Sequence, residues 1–426
     1  MERAGHLHDI TIERIGARGD GIGTVDGKPA YVPFTAPGDQ IRAKVAAAGQ
    51  GTVVEILSAS PGRISPLCSH FGRCGGCALQ HISEPIYAEW LRTRIADALS
   101  PKGFARDDLL GSIISDPIIS PPASRRRATM HLVAAGGGRA HIGFHRRASH
   151  VVEPLSECAV LLPEIFAVAK HIAREAVALA PAQIMLTRVE EGIDVVASGF
   201  RDITPDIQFV LAELLQAPMV VRMTARAKNG DELSLSESPP HVRFRGMAVP
   251  FPAGAFLQAT KAGEIAMQDA VSKAVSPDAV IADLFSGLGT FSLPLARTRK
   301  GRGHVTAVEG ARDLIDAQLQ ISRIQRLRLK TEHRDLFRKP LSPPELEPFD
   351  TVIFDPPRAG ADAQSRALAT SRVPQVIALS CNPNTFARDA RTLVNGGYKL
   401  TAITPVGQFL WSHHVELVAE FEKAQP

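Results

Sequence analysis

The sequence of 426 residues has few aromatic side chains, few cysteines and little excess of charge. Aromatic residues make up only 5% of it, whereas it contains 34 glycines and 31 prolines, which indicates turn-rich β structure in part of the chain. With 48 lysines and arginines against 44 acidic residues, the formal net charge of +4 does not by itself indicate a nucleic-acid-binding protein. The length predicts two or three domains, each large enough for its own core.

Long apolar segments are also missing. No run approaches the roughly 20 residues that span a bilayer, and the start, MERAGHLHDI, lacks the apolar core of a signal peptide. The sequence therefore predicts a cytoplasmic protein that does not contact membranes. In that reducing compartment the five cysteines are not expected to form disulfides. Their distribution suggests four metal ligands and one nucleophile.

The first segment, residues 9–58, consists of short alternating runs broken by glycine. Asp26 and Gly27 lie between two of these runs and predict a hairpin turn. Four or five short strands in so short a segment predict a small β-barrel of the OB type. Such a barrel either binds single-stranded nucleic acid or is purely structural, and the pattern leaves both interpretations open.

Four cysteines come next and predict a metal site. Cys68, Cys74 and Cys77 lie within the segment PLCSHFGRCGGCALQH, and Cys158 follows 81 positions after Cys77. Closely spaced thiols separated by glycines can wrap around one metal centre. Four thiolates suit both zinc and iron–sulfur, and the spacing does not separate them.

The middle of the chain predicts a helix and then a basic hairpin. Apolar residues from Tyr87 to Leu99 recur at helical spacing. Two strands joined by three glycines, residues 136–138, follow. Five arginines lie on or beside them, with few acids nearby, and predict a surface that contacts phosphates: Arg125, Arg126, Arg127, Arg146 and Arg147.

Residues 376–389, VIALSCNPNTFARD, predict a buried strand, a tight turn and a helix, with Cys381 on the turn. In open α/β sheets ligands bind beyond the carboxyl ends of the strands, which makes Cys381 a candidate catalytic residue. The alternative is a structural thiol, because free cysteine is among the most buried residue types.

From residue 251 onward, strand and helix patterns alternate and predict a mainly parallel sheet covered by helices. The segment DLFSGLGTF begins with Asp283 at a strand end and turns through Gly287 and Gly289. Glu309 ends the next strand, where an acid suits the two hydroxyls of a ribose. Because the glycine spacing is not G-x-G-x-x-G, an adenosine cofactor such as S-adenosylmethionine is favoured over a dinucleotide. Asp335, after the third strand, is predicted to approach the adenine edge.

The fourth strand ends at Asp355, followed by two prolines and Arg358. Enzymes that methylate exocyclic amines have an aromatic residue where Arg358 stands, so this strand end, together with a thiol on the fifth strand, favours methylation at a carbon. Carbon 5 of uracil becomes nucleophilic when a thiolate adds to carbon 6, and a base must later remove the carbon 5 proton. Cys381 is the predicted nucleophile and Glu416 the predicted base.

The combination FPAGAFLQ, DLFSGLGTF, FDPPRAG, SCNPNTFARD and HVE resembles the RNA uracil-C5 methyltransferase family. The segment GDGIGTVDGKPAYVPFTAPGD resembles a TRAM domain, and with the cysteines it resembles the 23S ribosomal RNA branch of the family. The resemblance implies a TRAM-like barrel over residues 1–60, a central α/β domain with the cysteine site over residues 61–250, and a Rossmann-like methyltransferase domain over residues 251–426.

The resemblance also implies roles for individual residues. Cys381 matches the nucleophile and Glu416 the proton acceptor. The residues that match S-adenosylmethionine contacts are Gln258, Phe285, Glu309 and Asp355. The residues that match the ligands of a [4Fe-4S] cluster are Cys68, Cys74, Cys77 and Cys158.

Three positions depart from the family pattern: Ser124, Ser286 and Thr290. The first stands where relatives often have an aromatic residue, and the other two alter the glycine loop without removing its chemistry. The favoured function is 5-methyluridine formation in ribosomal RNA by a monomer. Two alternatives stay open: the same chemistry on tRNA, and an iron–sulfur RNA-binding protein without catalysis.

Overall fold

The computed structural model describes residues 5–423 and shows an α/β protein that begins with a β domain. Residues 1–4 and 424–426, at the outer ends of the first and third predicted domains, lie outside the described residues. The N-terminal β domain consists of β1 (His6–Thr11), β2 (Arg14–Ile15), β3 (Gly21–Val25), β4 (Lys28–Val32), β5 (Gln40–Val45) and β6 (Gly51–Ser58). These strands form two sheets, with the orders β1-β5-β6 and β2-β3-β4.

The predicted hairpin turn is confirmed between β3 and β4. Asp26 and Gly27 both have positive φ, at 50° and 73°, as a two-residue turn of the primed type requires. Alternate residues of β5 point inward, so Ile41 and Ala43 are fully buried in the small core of this domain. A β domain is therefore present as predicted, whereas its assignment as a TRAM domain stays a prediction.

A second sheet lies in the middle of the chain. Its order is β10-β9-β8-β11-β12-β13-β14, and α3 and α4 pack against it. The bounds are β8 (Arg127–Gly136), β9 (Arg139–His145), β10 (Val152–Pro154), α3 (Pro163–Glu175), β11 (Ala182–Arg188), β12 (Ile193–Phe200), α4 (Pro205–Leu215), β13 (Val220–Ala227) and β14 (Glu232–Ser236). The predicted pair of strands around the three glycines is β8 and β9. A separate hairpin, β15 (His241–Phe244) and β16 (Met247–Pro250), leads into the C-terminal half.

The segment before this sheet packs elsewhere. It contains α1 (Glu84–Leu99), the single turn α2 (Arg106–Asp108) and the short strand β7 (Ile118–Ile119). Apolar residues of α1, among them Trp90 and Ile95, share one core with Phe386 and Leu393 near the C-terminal sheet. Strand β7 joins the edge of that sheet. The C-terminal layer thus includes residues from the first third of the chain, and the predicted domain boundary at residue 61 stays a prediction.

The C-terminal sheet has the order β19-β18-β17-β20-β21-β23-β22-β7. Its strands are β17 (Val280–Leu284), β18 (His304–Glu309), β19 (Leu329–His333), β20 (Thr351–Phe354), β21 (Gln375–Ser380), β22 (Tyr398–Gly407) and β23 (Glu416–Lys423). Its helices are α5 (Lys261–Ala274), α6 (Ser292–Thr298), α7 (Arg312–Gln325), α8 (Pro343–Leu346), α9 (Asp362–Thr370) and α10 (Pro383–Asn395).

Strands β17 to β21 run parallel, and β23 inserts antiparallel between β21 and β22. The order of the strands reverses at the pair β17 and β20, because β18 and β19 follow on one side of β17, and β20 and β21 lie on the other. This is the switch point where open α/β sheets bind ligands. Apolar side chains cover both faces of the sheet, so its carboxyl edge is the place left for polar groups. Among residues 5–423, no helix is long and apolar enough to cross a membrane.

Candidate active site

One cavity of about 510 Å³ opens at the carboxyl edge of the C-terminal sheet. Loops that follow β17, β18, β20 and β21 surround it, together with the start of β23. The cavity is lined by every residue predicted to act in catalysis or cofactor binding: Gln258, Phe285, Glu309, Asp355, Cys381 and Glu416. Residues separated by more than 150 positions in sequence are therefore brought to one site.

The glycine loop after β17 forms one end of the cavity. Phe285, Gly287 and Gly289 have φ values of 60°, 55° and 91°, so the loop folds back sharply before α6. A Cβ on Gly287 would meet no atom within 4 Å, so this turn borders open space. Gln318 holds the loop by donating from Nε2 to Ser286 Oγ (3.0 Å) and to the Gly287 carbonyl (2.8 Å). The serine that departs from the family pattern is thus part of the loop's hydrogen bonding.

Glu309 braces this loop from the neighbouring strand. Its Oε2 accepts from the Gly287 N–H at 2.9 Å, and its Oε1 accepts from the N–H groups of Gly310 (2.7 Å) and Ala311 (2.9 Å). The carboxylate therefore fixes the backbone around the cavity as well as facing it. Asp335 also lines the cavity, but its Oδ1 accepts from two backbone N–H groups of its own turn. Its predicted contact with adenine stays a prediction.

Cys381 lies directly after β21, between Ser380 and the helix α10. Asn382 caps that helix, because its side chain accepts from the Asn384 N–H at 3.1 Å. Burial raises the pKa of the Cys381 thiol to about 11, and the negative charges of Glu416 and Asp355 add to this effect. The thiol is therefore protonated at neutral pH in the free protein.

Asp355 and Glu416 form a pair of carboxyl groups beside the thiol. Burial raises the pKa of Asp355 to about 7. It also raises the pKa of Glu416 well above its usual value, and the charge of Asp355 raises it further. Two like charges in a poorly solvated site cannot easily be ionised together. The pair therefore holds a proton more readily than isolated carboxylates do, which suits acid–base work near neutral pH.

Two glutamine side chains connect these carboxyl groups. Gln258 Nε2 donates to Asp355 Oδ2 at 3.3 Å. Gln408 Nε2 donates to Gln258 Oε1 at 2.8 Å and to Glu416 Oε2 at 2.9 Å. Sequence reasoning identified Gln258 but missed Gln408. Gln408 directly follows β22, and a polar residue after a strand is common, so no local sequence pattern identifies it as part of the site.

The basic hairpin differs from the prediction. Arg126 is buried, pairs with Glu264 and donates from Nε to the Gln258 carbonyl at 3.0 Å. The guanidinium of Arg146 pairs with Glu153 at 2.8 Å, and that of Arg147 pairs with Asp20 at 2.5 Å. The interpretation of five arginines with few acids nearby is therefore wrong. Glu153 lies only seven positions after Arg146, whereas Asp20 and Glu264 come from distant segments, which the local sequence could not reveal.

Arg125 and Arg127 instead lie near aromatic residues at the cavity. The guanidinium of Arg125 stands 5.8 Å from the ring centre of Phe409, and that of Arg127 stands 5.3 Å from the ring centre of Phe256. Both rings line the cavity. These two arginines therefore place positive charge and flat apolar surface together at its mouth.

The other four cysteines lie around one small cavity of about 30 Å³ in the middle of the chain. All five cysteines are free thiols, as predicted. Burial raises the pKa of Cys77 to about 12 and also raises the pKa values of Cys74 and Cys158, with further contributions from the neighbouring thiols. Within residues 5–423, no group of three or more His, Cys, Asp or Glu side chains is arranged to hold a metal ion.

Known proteins with similar sequences are RNA methyltransferases. The sequence-family model for tRNA (uracil-5-)-methyltransferase matches residues 214–423. An RNA methyltransferase of Agrobacterium fabrum is 40% identical over 427 residues, covering 97% of this chain and 99% of the relative. The 23S rRNA (uracil(1939)-C(5))-methyltransferase of Vibrio vulnificus is 28% identical, covering 97% of this chain and 96% of the relative.

Among solved structures, the tRNA (uracil-54, C5)-methyltransferase of Pyrococcus abyssi in complex with S-adenosyl-L-homocysteine has the same fold. The TM-score is 0.73 at 22% identity, covering 97% of this chain and 99% of that chain. The sequence relatives that match nearly the whole chain and the family model both indicate an RNA methyltransferase, and the fold agrees with them. The chain belongs to the RNA (uracil-5-)-methyltransferase family.

Proposed function

We propose that this protein transfers a methyl group from S-adenosylmethionine to carbon 5 of a uridine in RNA, with Cys381 as nucleophile and Glu416 as proton acceptor. The observation that carries the proposal is that the Cys381 thiol, the two carboxyl groups of Asp355 and Glu416, and the glycine loop all face one cavity. Membership of an enzyme family argues against the alternative of an RNA-binding protein without catalysis.

The glycine-loop end of the cavity fits the cofactor. The space beside Gly287 is open, Glu309 stands at the end of the second strand, and the rings of Phe285 and Phe337 lie 5.2 Å apart on its apolar wall. Acid, apolar wall and close backbone are the features that suit ribose, adenine and methionine groups. When bound there, S-adenosylmethionine supplies an electrophilic methyl group.

Cys381 starts the reaction at the end of the cavity away from the glycine loop. Its sulfur forms a bond to carbon 6 of uracil, and the electrons of the carbon 5–carbon 6 double bond move into an enolate. Carbon 5 then accepts the methyl group. Because burial raises the pKa of the free thiol to about 11, a base must take its proton as the sulfur adds. Asp355, which lines the same cavity and whose charge acts on the thiol, is the proposed acceptor and returns the proton when the sulfur leaves. A thiol that is inert in the free enzyme avoids reaction with other electrophiles.

Glu416 completes the cycle by taking the carbon 5 proton. The double bond between carbon 5 and carbon 6 then re-forms, and the bond from carbon 6 to the Cys381 sulfur breaks. Glu416 must be ionised for this step, and burial, which raises its pKa, makes the ionised carboxylate a stronger base. A carboxylate of ordinary acidity would be a weaker base.

The RNA path is proposed to cross the mouth of the cavity beside His413 and His414. Burial is the first cause that lowers the pKa of His414, to about 4, and nearby arginines add to it. The arginines whose charges act on these two histidines come from separate segments of the chain: Arg18, Arg94, Arg125, Arg147 and Arg358. In residues 5–423, no carboxylate forms an ion pair with Arg18, Arg94 or Arg358. RNA phosphates would compensate this charge.

Ribosomal RNA is the favoured substrate. The relative that acts on 23S rRNA matches 97% of this chain at 28% identity. The alternative is tRNA, supported by the description of the matching family model. The target base must leave its stack to reach the thiol, so a loop uridine is expected in either case.

Mapping 5-methyluridine in RNA from cells with and without this protein tests the assignment. We expect one position in 23S rRNA to lose the methyl group and to regain it when the protein is restored. Loss in tRNA alone would establish the alternative substrate. Unchanged 5-methyluridine in both RNAs would contradict the proposed function.

The four-cysteine cavity is proposed to hold a [4Fe-4S] cluster through Cys68, Cys74, Cys77 and Cys158. The donor set fits, since four thiols and no other ligand type of comparable softness line the same cavity. When bound, the cluster would join the cysteine segment to the loop before α3.

Anaerobically purified protein is expected to contain iron and acid-labile sulfide, and Cys77→Ser is expected to lose both together with thermal stability, because metal binding contributes folding free energy. The measurements are iron and sulfide analysis and thermal unfolding. Cys381→Ala, which removes a thiol outside this cavity, should keep its iron. Stoichiometric zinc without iron in the native protein would contradict the assignment.

A further inference from the structure

Gln408 occupies a position that the proposed chemistry does not yet explain. It is buried, with 1% of its surface exposed, and lies just after β22, where that strand runs beside the start of β23. Val406 is the register partner of Glu416, so Gln408 reaches the carboxyl group from the same strand pair. A Cβ on Gly263 would stand 2.7 Å from the Gln408 Cβ, so α5 packs directly on the glutamine and restricts its conformation.

The orientation of the Gln408 amide is fixed by its partners. The Ala259 N–H donates to Gln408 Oε1 at 2.8 Å, so the amide oxygen must face that backbone group. The NH₂ group then faces two acceptors, Gln258 Oε1 and Glu416 Oε2. Because Gln258 accepts through its oxygen, its own NH₂ group is turned toward Asp355. One backbone N–H thus sets the direction of the whole chain of hydrogen bonds.

The fixed direction of these hydrogen bonds means that each carboxyl group accepts a hydrogen bond from a glutamine NH₂ group. The Gln408 NH₂ group can only donate, and donation to a charged oxygen is stronger than donation to a neutral one. Its distance to Glu416, 2.9 Å, is shorter than the 3.3 Å between Gln258 and Asp355. The titratable groups whose charges interact with Glu416 are Asp355 and Cys381, and the charge of Arg358, which lines the same cavity, lowers the pKa of the thiol.

We propose that Gln408 is a positioning residue that keeps Glu416 ionised and aimed at the substrate for the elimination step, after Asp355 has taken the proton that Cys381 releases. The assignment rests on the proposed function, because elimination is the step that needs Glu416. It adds a residue whose effect is confined to proton removal. Addition of Cys381 and methyl transfer do not require it.

Gln408→Met tests the assignment, because methionine keeps the length and removes the donor. Without that donor the pKa of Glu416 rises, so a smaller fraction is ionised at neutral pH. We expect elimination to slow about tenfold and its pH profile to move up by about one unit. The methylated covalent complex with unmodified substrate RNA should accumulate at pH 7 and clear when the pH is raised, as measured on denaturing gels.

A second variant and a matched control separate this role from packing. Gln408→Glu keeps the acceptor for the Ala259 N–H but cannot donate when ionised, so the same pH-reversible accumulation is expected with a larger upward shift. Gln364→Met removes a buried glutamine that bonds only to Leu341, outside the cavity, and should leave the pH profile unchanged. Cofactor affinity by calorimetry reports whether each variant folds.

The contrary outcomes are distinct. An unchanged pH profile and no accumulated complex in folded Gln408→Met would overturn the positioning role. Activity that is lost equally at every pH would also overturn it, since that is the result of a packing defect. If native protein formed no complex with RNA that carries 5-fluorouridine, whose fluorine cannot leave as a proton, the proposed function itself would fail and this assignment with it.

Discussion

Cys381→Ala is expected to abolish methyl transfer while leaving the cofactor and the RNA bound. Without the sulfur, carbon 6 has no nucleophile and carbon 5 stays unreactive, so the rate should fall by on the order of 10⁴-fold or more, as loss of a covalent nucleophile does in other enzymes. The side chain is small and only partly buried, and its neighbours α10 and β21 do not depend on it for hydrogen bonds. Transfer of labelled methyl groups to RNA measures the effect.

The control for this prediction is the affinity of the Cys381→Ala protein for the cofactor product. Calorimetric titration of the variant with S-adenosylhomocysteine should match the native protein, because the glycine loop and Glu309 are untouched. Turnover retained by a folded Cys381→Ala protein would eliminate the covalent mechanism.

Glu416→Gln is expected to transfer one methyl group and then to remain covalently joined to its RNA, unlike Cys381→Ala, which should transfer none. The Cys381 sulfur still adds to carbon 6 and the methyl group still transfers, but an amide cannot take the carbon 5 proton, so elimination stops. The substitution is nearly isosteric, and its Oε1 can still accept from Gln408, so the cavity should keep its shape. Denaturing gel electrophoresis with labelled cofactor should show most of the enzyme in a methylated RNA complex.

Glu420→Gln supplies the matched control, since it makes the same change on the same strand, β23, outside the cavity. It should turn over normally and show no lasting complex. If Glu416→Gln released product at the native rate, another group would have to be the base.

The sequence allowed the local parts of this site to be predicted. Strand, turn and helix around Cys381 follow from an apolar run, an Asn-Pro turn and an amphipathic pattern, and the structure has them at Gln375–Ser380 and Pro383–Asn395. The turn at Asp26 and Gly27 was equally local. These features are decided by neighbouring residues and by backbone preferences.

Pairings between distant side chains were beyond such reasoning. Arg126 looked like a surface cation, but Glu264, which pairs with it, lies 138 positions away. Gln408 looked like an ordinary strand exit, although it bonds to Gln258 150 positions earlier. Charge and polarity in one segment do not indicate which partner the fold will supply, so ion pairs and polar networks emerge only once the topology is known.

The packing of α1 against the C-terminal layer has a consequence for how this protein is made. The apolar face of α1 is finished early in synthesis, but α10, which packs on it, is complete only about 300 residues later. At roughly 5 to 20 residues per second, that face stays uncovered on the ribosome for tens of seconds. Earlier residues of the same core, such as Ile15 and Ala36, can cover part of this face. A chaperone is expected to protect the remainder until the last third of the chain is translated.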